Sequence, residues 1–317
     1  MRALGTEMSV FLTASDASNT ISGENEGDSM AERISPTLRR KRLAARLREL
    51  RELSGLSASE VAARYDWTAS KITWIETNRG KRPNPNDVRL LCDAYGVTDE
   101  AAREYLVQLA RDGRKKGWWD PYNSVLPNSY ENYIGLEAEA STVLTFGLGG
   151  LHGLLQTEDY ARAMIKTPWS KLGVAEIDKR IEIRMQRQQA LRQEPPLRLF
   201  AVIDEAMIHR QVGGPAVMRA QLQHLIDVTE ELPLVTVQVV PFEQGAHPSM
   251  MNGFVILQFP ESEDPDVVYL ENTEGGLWLE EPEEVSSVRG RFEHLLGTAA
   301  SARDTIKILK KSLARYE

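Results

Sequence analysis

Ser57-Ala58-Ser59-Glu60-Val61-Ala62-Ala63-Arg64-Tyr65, then Asp66-Trp67, then Thr68-Ala69-Ser70-Lys71-Ile72-Thr73-Trp74-Ile75-Glu76-Thr77 decides the fold of the first third of the chain. Ser57 and Glu60 have the spacing of a capping box, in which each side chain takes the other residue's backbone N–H. Thr68 can cap the run that follows. Tyr65-Asp66-Trp67 leaves room only for a tight turn, so the stretch is a helix over Ser57–Tyr65, a turn, and a helix over Thr68–Thr77. At about 100° per residue, Ile72 and Ile75 share one face of the second helix, and Ser70, Thr73, Trp74 and Thr77 share the opposite one. That outer face carries hydroxyls, an indole and, at its edge, Lys71, with no acid. It suits hydrogen bonding and methyl contact in the major groove of duplex DNA. A solvated helix would more usually show Glu/Lys pairs there.

Working outward, the region 36–112 has the pattern of five helices. Leu43, Leu47, Leu50 and Leu53 recur at helical spacing and stop at Ser54-Gly55, where glycine suits a left-handed terminus. Asn84-Pro85 supplies a cap and a first-position proline for the fourth helix, which ends at Gly96, and Thr98 can cap the fifth. Twelve basic and five acidic residues lie between Pro36 and Arg82, an excess of seven, in a chain of net charge -8. The remainder therefore carries -15. A basic module joined to an acidic one concentrates affinity for nucleic acid in one place. Asn78-Arg79-Gly80-Lys81-Arg82 adds cations that suit phosphates, which position a reader without specifying sequence.

Residues 38–110 resemble the XRE family of helix-turn-helix regulators, which includes the phage repressor and Cro domains. The resemblance rests on Leu56-Ser57-Ala58-Ser59-Glu60-Val61-Ala62, Ser70-Lys71-Ile72-Thr73-Trp74-Ile75-Glu76 and Gly80-Lys81-Arg82-Pro83. It implies that Ala58 and Ser70 lie at helix starts beside phosphate or base edges, and that Ala69, Thr73 and Trp74 face the groove. The expected DNA-binding set is Ala58, Thr68, Ala69, Ser70, Lys71, Thr73, Trp74, Thr77, Arg79, Lys81 and Arg82. Ala58 and Ala69 replace the polar side chains often found there, and Asp66 replaces the usual turn glycine. Arg51 and Glu76 match an arginine–glutamate pair of some members, and Glu76 falls towards the core side of its helix.

The rest of the chain is expected to fold as an α+β domain with a mostly antiparallel sheet. Helical stretches (131–146, 157–166, 174–193, 215–230, 282–296, 299–315) accompany strand-like runs at 197–203, 234–240, 254–259 and 267–271. The expected organisation is a disordered tail over 1–34, an all-α helix-turn-helix domain over 35–112, a linker over 113–130 and the α+β domain over 131–317. Met30 is a candidate natural start. The five histidines are scattered, the lone Cys92 excludes an internal disulfide, and Gly147-Leu148-Gly149-Gly150 lacks the ending of a phosphate loop. Neither enzyme chemistry nor a cofactor or metal is expected. No apolar run is long enough for a membrane span, and the chain reads as cytoplasmic.

Residues 117–315 resemble an uncharacterised domain attached to XRE-type modules in many actinobacterial regulators. The matching segments include Gly117-Trp118-Trp119, Glu137-Ala138-Glu139-Ala140, Gly153-Leu154-Leu155-Gln156-Thr157, Asp204-Glu205, Gly245-Ala246-His247 and Tyr269-Leu270-Glu271; His152 stands where proline is usual. Gln156, Glu205, His247, Tyr269 and Glu271 are the candidate polar cluster for a ligand or partner. The resemblance implies an antitoxin-like regulator encoded beside a small companion protein. Two readings follow: a transcriptional regulator whose C-terminal domain binds a partner or small ligand, or an antitoxin that neutralises its companion and autoregulates. A homodimer on double-stranded DNA is expected.

Overall fold

The computed structural model of the protein describes residues 35–78, 82–167, 170–261, 264–272 and 275–316. The expected tail over 1–34, the candidate start Met30, and Arg79 and Lys81 lie outside them.

Five helices open the described chain: α1 (Pro36–Leu53), α2 (Ala58–Arg64), α3 (Ala69–Glu76), α4 (Pro85–Ala94) and α5 (Glu100–Asp112). Their starts follow local chemistry. Ser35 caps α1, the Ser57/Glu60 capping box opens α2, Thr68 caps α3 and Asn84 caps α4 ahead of Pro85. Each such cap is worth about 1 kcal/mol. The cap of α5 is Asp99 rather than the expected Thr98; its carboxylate accepts the Ala101 N–H at 3.0 Å. Gly55 and Gly96 take the left-handed conformation just past α1 and α4. Leu43, Leu47, Val61, Ile72, Ile75, Val88, Leu91 and Leu106 interlock as the core of this region.

Three more helices, α6 (Asn128–Glu137) and, after β1, the α7 (Glu158–Ile165)–α8 (Val174–Gln188) pair, lead into the sheet region. The sheet comprises β1 (Thr142–Gly147), β2 (Arg198–Asp204), β3 (Val235–Val240), β4 (Phe254–Gln258), β5 (Val267–Asn272) and β6 (Gly275–Leu279), in the order β3-β2-β1-β4-β5-β6. Helices α9 (Ala206–His209), α10 (Pro215–Glu231), α11 (Pro282–Thr298) and α12 (Ala302–Leu313) complete the region.

The sheet is mixed, which corrects the expectation of a mostly antiparallel one. β1 pairs with β2 and β2 with β3 in parallel, while β1–β4, β4–β5 and β5–β6 are antiparallel. The cause lies in the connections. Helices α7 and α8 carry the chain from β1 to β2, and α9 and α10 from β2 to β3, and a helical crossover returns the next strand parallel. The helical pattern expected over 131–146 covers β1 and so conceals the first crossover.

Side chains alternate across the sheet. Val143, Leu199, Ala201, Val237 and Leu257 join α8, α10 and α12 on one face, and Leu144, Phe146, Val202, Ile256 and Val268 meet Val285, Val288, Phe292 and Leu295 of α11 on the other. The β3 edge is closed by the α11–α12 junction: Ala300 N–H donates to the Val239 carbonyl at 2.8 Å and Val239 N–H to Thr305 Oγ1 at 3.1 Å.

α1 belongs to both cores. Leu43 and Leu47 pack into the five-helix core, whereas Leu38 packs with Trp119, Leu126 and Ile134 in the core beneath the sheet. Gly135 makes the α1–α6 crossing possible, since a Cβ there would fall 2.3 Å from Thr37 Oγ1.

Candidate nucleic-acid interface

The reading face is built from α3. Ile72 and Ile75 are fully or nearly fully buried, and each removes about 1.5–3 kcal/mol of apolar surface from water, which pins the rotation of the helix. Ser70, Thr73, Trp74 and Thr77 are then left exposed, Trp74 at 55%. Thr73 Oγ1 donates to the Ala69 carbonyl at 3.2 Å and Thr77 Oγ1 to the Thr73 carbonyl at 2.7 Å, so both hydroxyls keep acceptor lone pairs. Thr68 is exposed, and Ala69 and Ala58 are half-buried at the starts of α3 and α2. Asp66 takes φ 55°, the left-handed conformation that lets the chain turn between the two helices.

Charge adds to the apolar packing of α1 against α3. Arg51 Nε lies 2.9 Å from both Glu76 oxygens, its Nη1 donates to the Leu56 carbonyl at 3.0 Å, and the buried Tyr95 hydroxyl donates to Glu76 Oε1 at 3.0 Å. Glu76, 7% exposed, is thus satisfied where an unpaired carboxylate would be costly. Burial and the adjoining Glu76 charge push the Tyr95 hydroxyl well above its usual range, so it stays a donor.

Two cations expected to serve DNA, Lys71 and Arg82, are engaged within the protein. Lys71 Nζ is 3.0 Å from Asp87 Oδ2 and 3.4 Å from the centre of the Trp67 ring. Arg82 donates to the Arg114 and Lys115 carbonyls at 3.0 and 3.2 Å, and Arg114 returns a bond to the Arg82 carbonyl. In α1, Lys41 pairs with Glu280 at 3.1 Å, and Arg42 forks onto the buried Asp264 carboxylate. The excess of seven positive charges is therefore partly spent on acids of the same chain.

The five C-terminal candidates do not converge on one cluster. Gln156 is buried, donates to the Leu151 carbonyl at 2.6 Å and accepts from Arg184. Glu205 accepts from the Phe242 N–H at 2.8 Å and pairs with His209 at 3.0 Å. Burial pushes its carboxyl up, but those two hydrogen bonds prevail and hold it below the usual range. His247 lies 3.6 Å from Asp204 and against the Phe146 ring. Tyr269 is buried between Tyr133 and Trp278, where burial and the Glu271 charge push its hydroxyl up to about 12. Glu271 is exposed.

A buried network that the candidate list lacks ties α6 to α8. Arg187 donates to both oxygens of Glu137 at 2.6 and 2.7 Å and to the Tyr130 hydroxyl, and the Tyr133 hydroxyl donates to Glu137 at 2.8 Å. His152 closes it. Its Nδ1 accepts the Leu154 N–H at 3.3 Å, so the proton sits on Nε2 and is given to the Tyr133 oxygen at 2.7 Å. Burial lowers the imidazole to about 4 and keeps it neutral. The signal available was Glu137 in one of the segments that carry the family resemblance; Arg187, 50 residues away, had none.

Among the described residues, no helix is long and apolar enough to cross a membrane. A family described as "Helix-turn-helix domain" matches residues 42–106, in agreement with the XRE-type resemblance, and one described as "Domain of unknown function (DUF5753)" matches residues 130–311. Among curated proteins and among solved structures, none matches the chain.

Proposed function

Since this chain belongs to the DUF5753 domain family and carries a helix-turn-helix domain ahead of that domain, we propose that it is a sequence-specific regulator that binds duplex DNA and responds through its C-terminal region to a partner protein or small ligand. One observation supports the DNA reading most. The outward face of α3 presents Ser70, Thr73, Trp74 and Thr77 without an acid, while the inward face is fixed by Ile72 and Ile75. Such a face complements base edges and thymine methyls. Trp74 acts by covering methyl or sugar surface, because an indole only donates.

One recognition helix spans too few base pairs to select a promoter, so the working form is a homodimer on half-sites about 34 Å apart or a multiple of that. Selection of bound sequences from a random duplex pool, with sedimentation of the protein free and on the selected duplex, tests this reading. A palindromic site bound two to one is expected, and Trp74→Ala should lose the enriched sequence while keeping weak, salt-sensitive binding. No enrichment, or a monomer on its site, overturns it.

A further inference from the structure

Two arginines hold the chain where it leaves α5. Arg40 Nη1 donates to the Gly113 carbonyl at 3.1 Å, and Arg82 Nη1 donates to the Arg114 and Lys115 carbonyls at 3.0 and 3.2 Å. Arg114 Nη1 returns a bond to the Arg82 carbonyl at 3.2 Å, which leaves its other N–H donors free of that carbonyl. Three successive carbonyls at the negative end of a helix are thus met by cations. Arg114, Lys115 and Lys116 are exposed beside them. Five cations gather here: Arg40, Arg82, Arg114, Lys115 and Lys116. The nearby acids are fewer. Asp112 pairs with Lys115 at 2.8 Å, Asp120 lies 3.9 Å from Arg82, and Lys116 pairs with no acid among the described residues. Burial and the Arg82 charge hold the Arg40 guanidinium below its usual range, against the opposing pull of Glu131 and Asp120. Like charges brought this close oppose the compact state, and a polyanion would relieve them.

The strip lies next to the reading helix. Arg82 stands six residues past the end of α3 and three before the start of α4. Lys71 in the first turn of α3 reaches Asp87 in the first turn of α4 at 3.0 Å, so α4 begins beside α3. Three residues span at most about 10 Å, which keeps Arg82, and the connector bonded to it, close to that flank. A major groove is about 12 Å wide, so a helix seated in it has a sugar–phosphate strand along each flank. The connector is therefore carried alongside one of those strands.

We propose that Arg114, Lys115 and Lys116 form a second phosphate-contact strip, which grips the DNA backbone beside the half-site read by α3, and that Arg82 is a positioning residue that fixes this strip through its main chain. The inference rests on the reading of α3 as the DNA-reading helix and carries the contact past the five helices into the connector. The full chain on its selected duplex tests it. Lys115→Gln/Lys116→Gln leaves the Arg82–Arg114 bonds in place and removes one exposed ion pair, so the thermal midpoint should not move. The slope of log affinity against log salt should fall by roughly two units per bound protomer, and affinity at 0.1 M salt by at least about tenfold for every duplex. The ranking of duplexes should stay as it was. Ethylation interference should vanish at a few phosphates and persist at the others. Arg82→Gln should lower the slope to a similar extent, and added to the lysine changes it should lower it no further. Additive slope losses would place Arg82 on phosphate itself and overturn its positioning role. An unchanged slope and interference pattern in the lysine variant overturns the strip, as does loss of binding to anionic phospholipid vesicles with the DNA slope intact, which would assign these cations to a membrane surface. A wild-type chain that binds no duplex refutes the reading of α3 along with the strip, whereas duplex binding with an unchanged slope in the variant refutes the strip alone.

Discussion

Arg51, Glu76 and Tyr95 form a unit in which each member satisfies another, and such units fail together. Arg51→Ala leaves Glu76 buried with only Tyr95, and Glu76→Ala leaves Arg51 half-buried with the Leu56 carbonyl. Each should cost on the order of 3 kcal/mol, as for one partner removed from a buried pair. The double variant should lose less than the two together, with a coupling of about 1–3 kcal/mol in a urea-denaturation cycle; additive losses would refute the pairing energy. A second residue-scale prediction concerns protons. Burial raises the Glu139 carboxyl from 4.5 to about 8, opposed by the charges of Arg39 and Arg42, and one of its oxygens has no hydrogen-bond partner. The folded state then holds a proton that the unfolded state has released, so this contribution is full below pH 4.5 and is lost as pH rises towards 8. His152, lowered from 6.5 to about 4, acts in the opposite sense: its contribution is present above pH 6.5 and is lost as pH falls through 4. Glu139→Gln should therefore flatten the decline in denaturation midpoint between pH 5 and 8 and leave the acid limb unchanged. A decline that persists in Glu139→Gln would assign it to another group.

At the scale of elements, α3 separates cations by what already holds them. Lys71 is committed to Asp87 and to the Trp67 ring, so Lys71→Ala should lower the stability of the five-helix region by about 0.5–1 kcal/mol, the range of a partly exposed ion pair or cation–π contact. The slope of binding against salt should change little. Thr73→Ala should shift the preferred duplex sequence at unchanged stability, read from competition among selected duplexes. A full unit change of salt slope in Lys71→Ala would show that the lysine leaves Asp87 for phosphate. The same elements show what sequence makes legible. Helices α1 to α4 announced themselves through caps and glycine stops, which are local and need no tertiary context. β2 to β5 were visible as runs rich in Val, Ile and Leu. β1 was not, because Glu137-Ala138-Glu139-Ala140 extends a helical pattern to its edge, although Val143-Leu144-Thr145-Phe146 is buried sheet. β6 opens with Gly275-Gly276, a poor strand signal, yet Gly276 is required: a Cβ there would fall 1.9 Å from the Tyr269 ring on the paired strand. Site residues followed the same divide. The α3 face could be read from helical phase, whereas the Glu137–Arg187 pairing and the scatter of the five C-terminal candidates depend on long-range packing that no local pattern encodes.

At the scale of the molecule, α1 sets the terms. Its first turn is buried with Trp119 and α6, its middle lies in the five-helix core, and Lys41 and Arg42 are paired with Glu280 and Asp264. Cutting after Lys116 would expose Leu38 and leave Arg42 without its carboxylate. The resulting fragment should keep its helical circular dichroism but melt at least 5 °C below the same region in the whole chain, as about 1 kcal/mol does in a domain of this size. Hydrogen exchange of α1 amides would check this, and unchanged protection of residues 36–42 in the fragment would count against it. The shared helix also bears on heredity. A gene for a reader and its regulatory half is ordinarily free to recombine at the joint, exchanging one operator preference for another. Here a crossover at residues 113–127 would bring in a foreign α1 whose first two turns must fit Gly135 and Asp264 of the recipient. Changes of target are then expected to accumulate by substitution on the outer face of α3, with reader and regulatory half descending together.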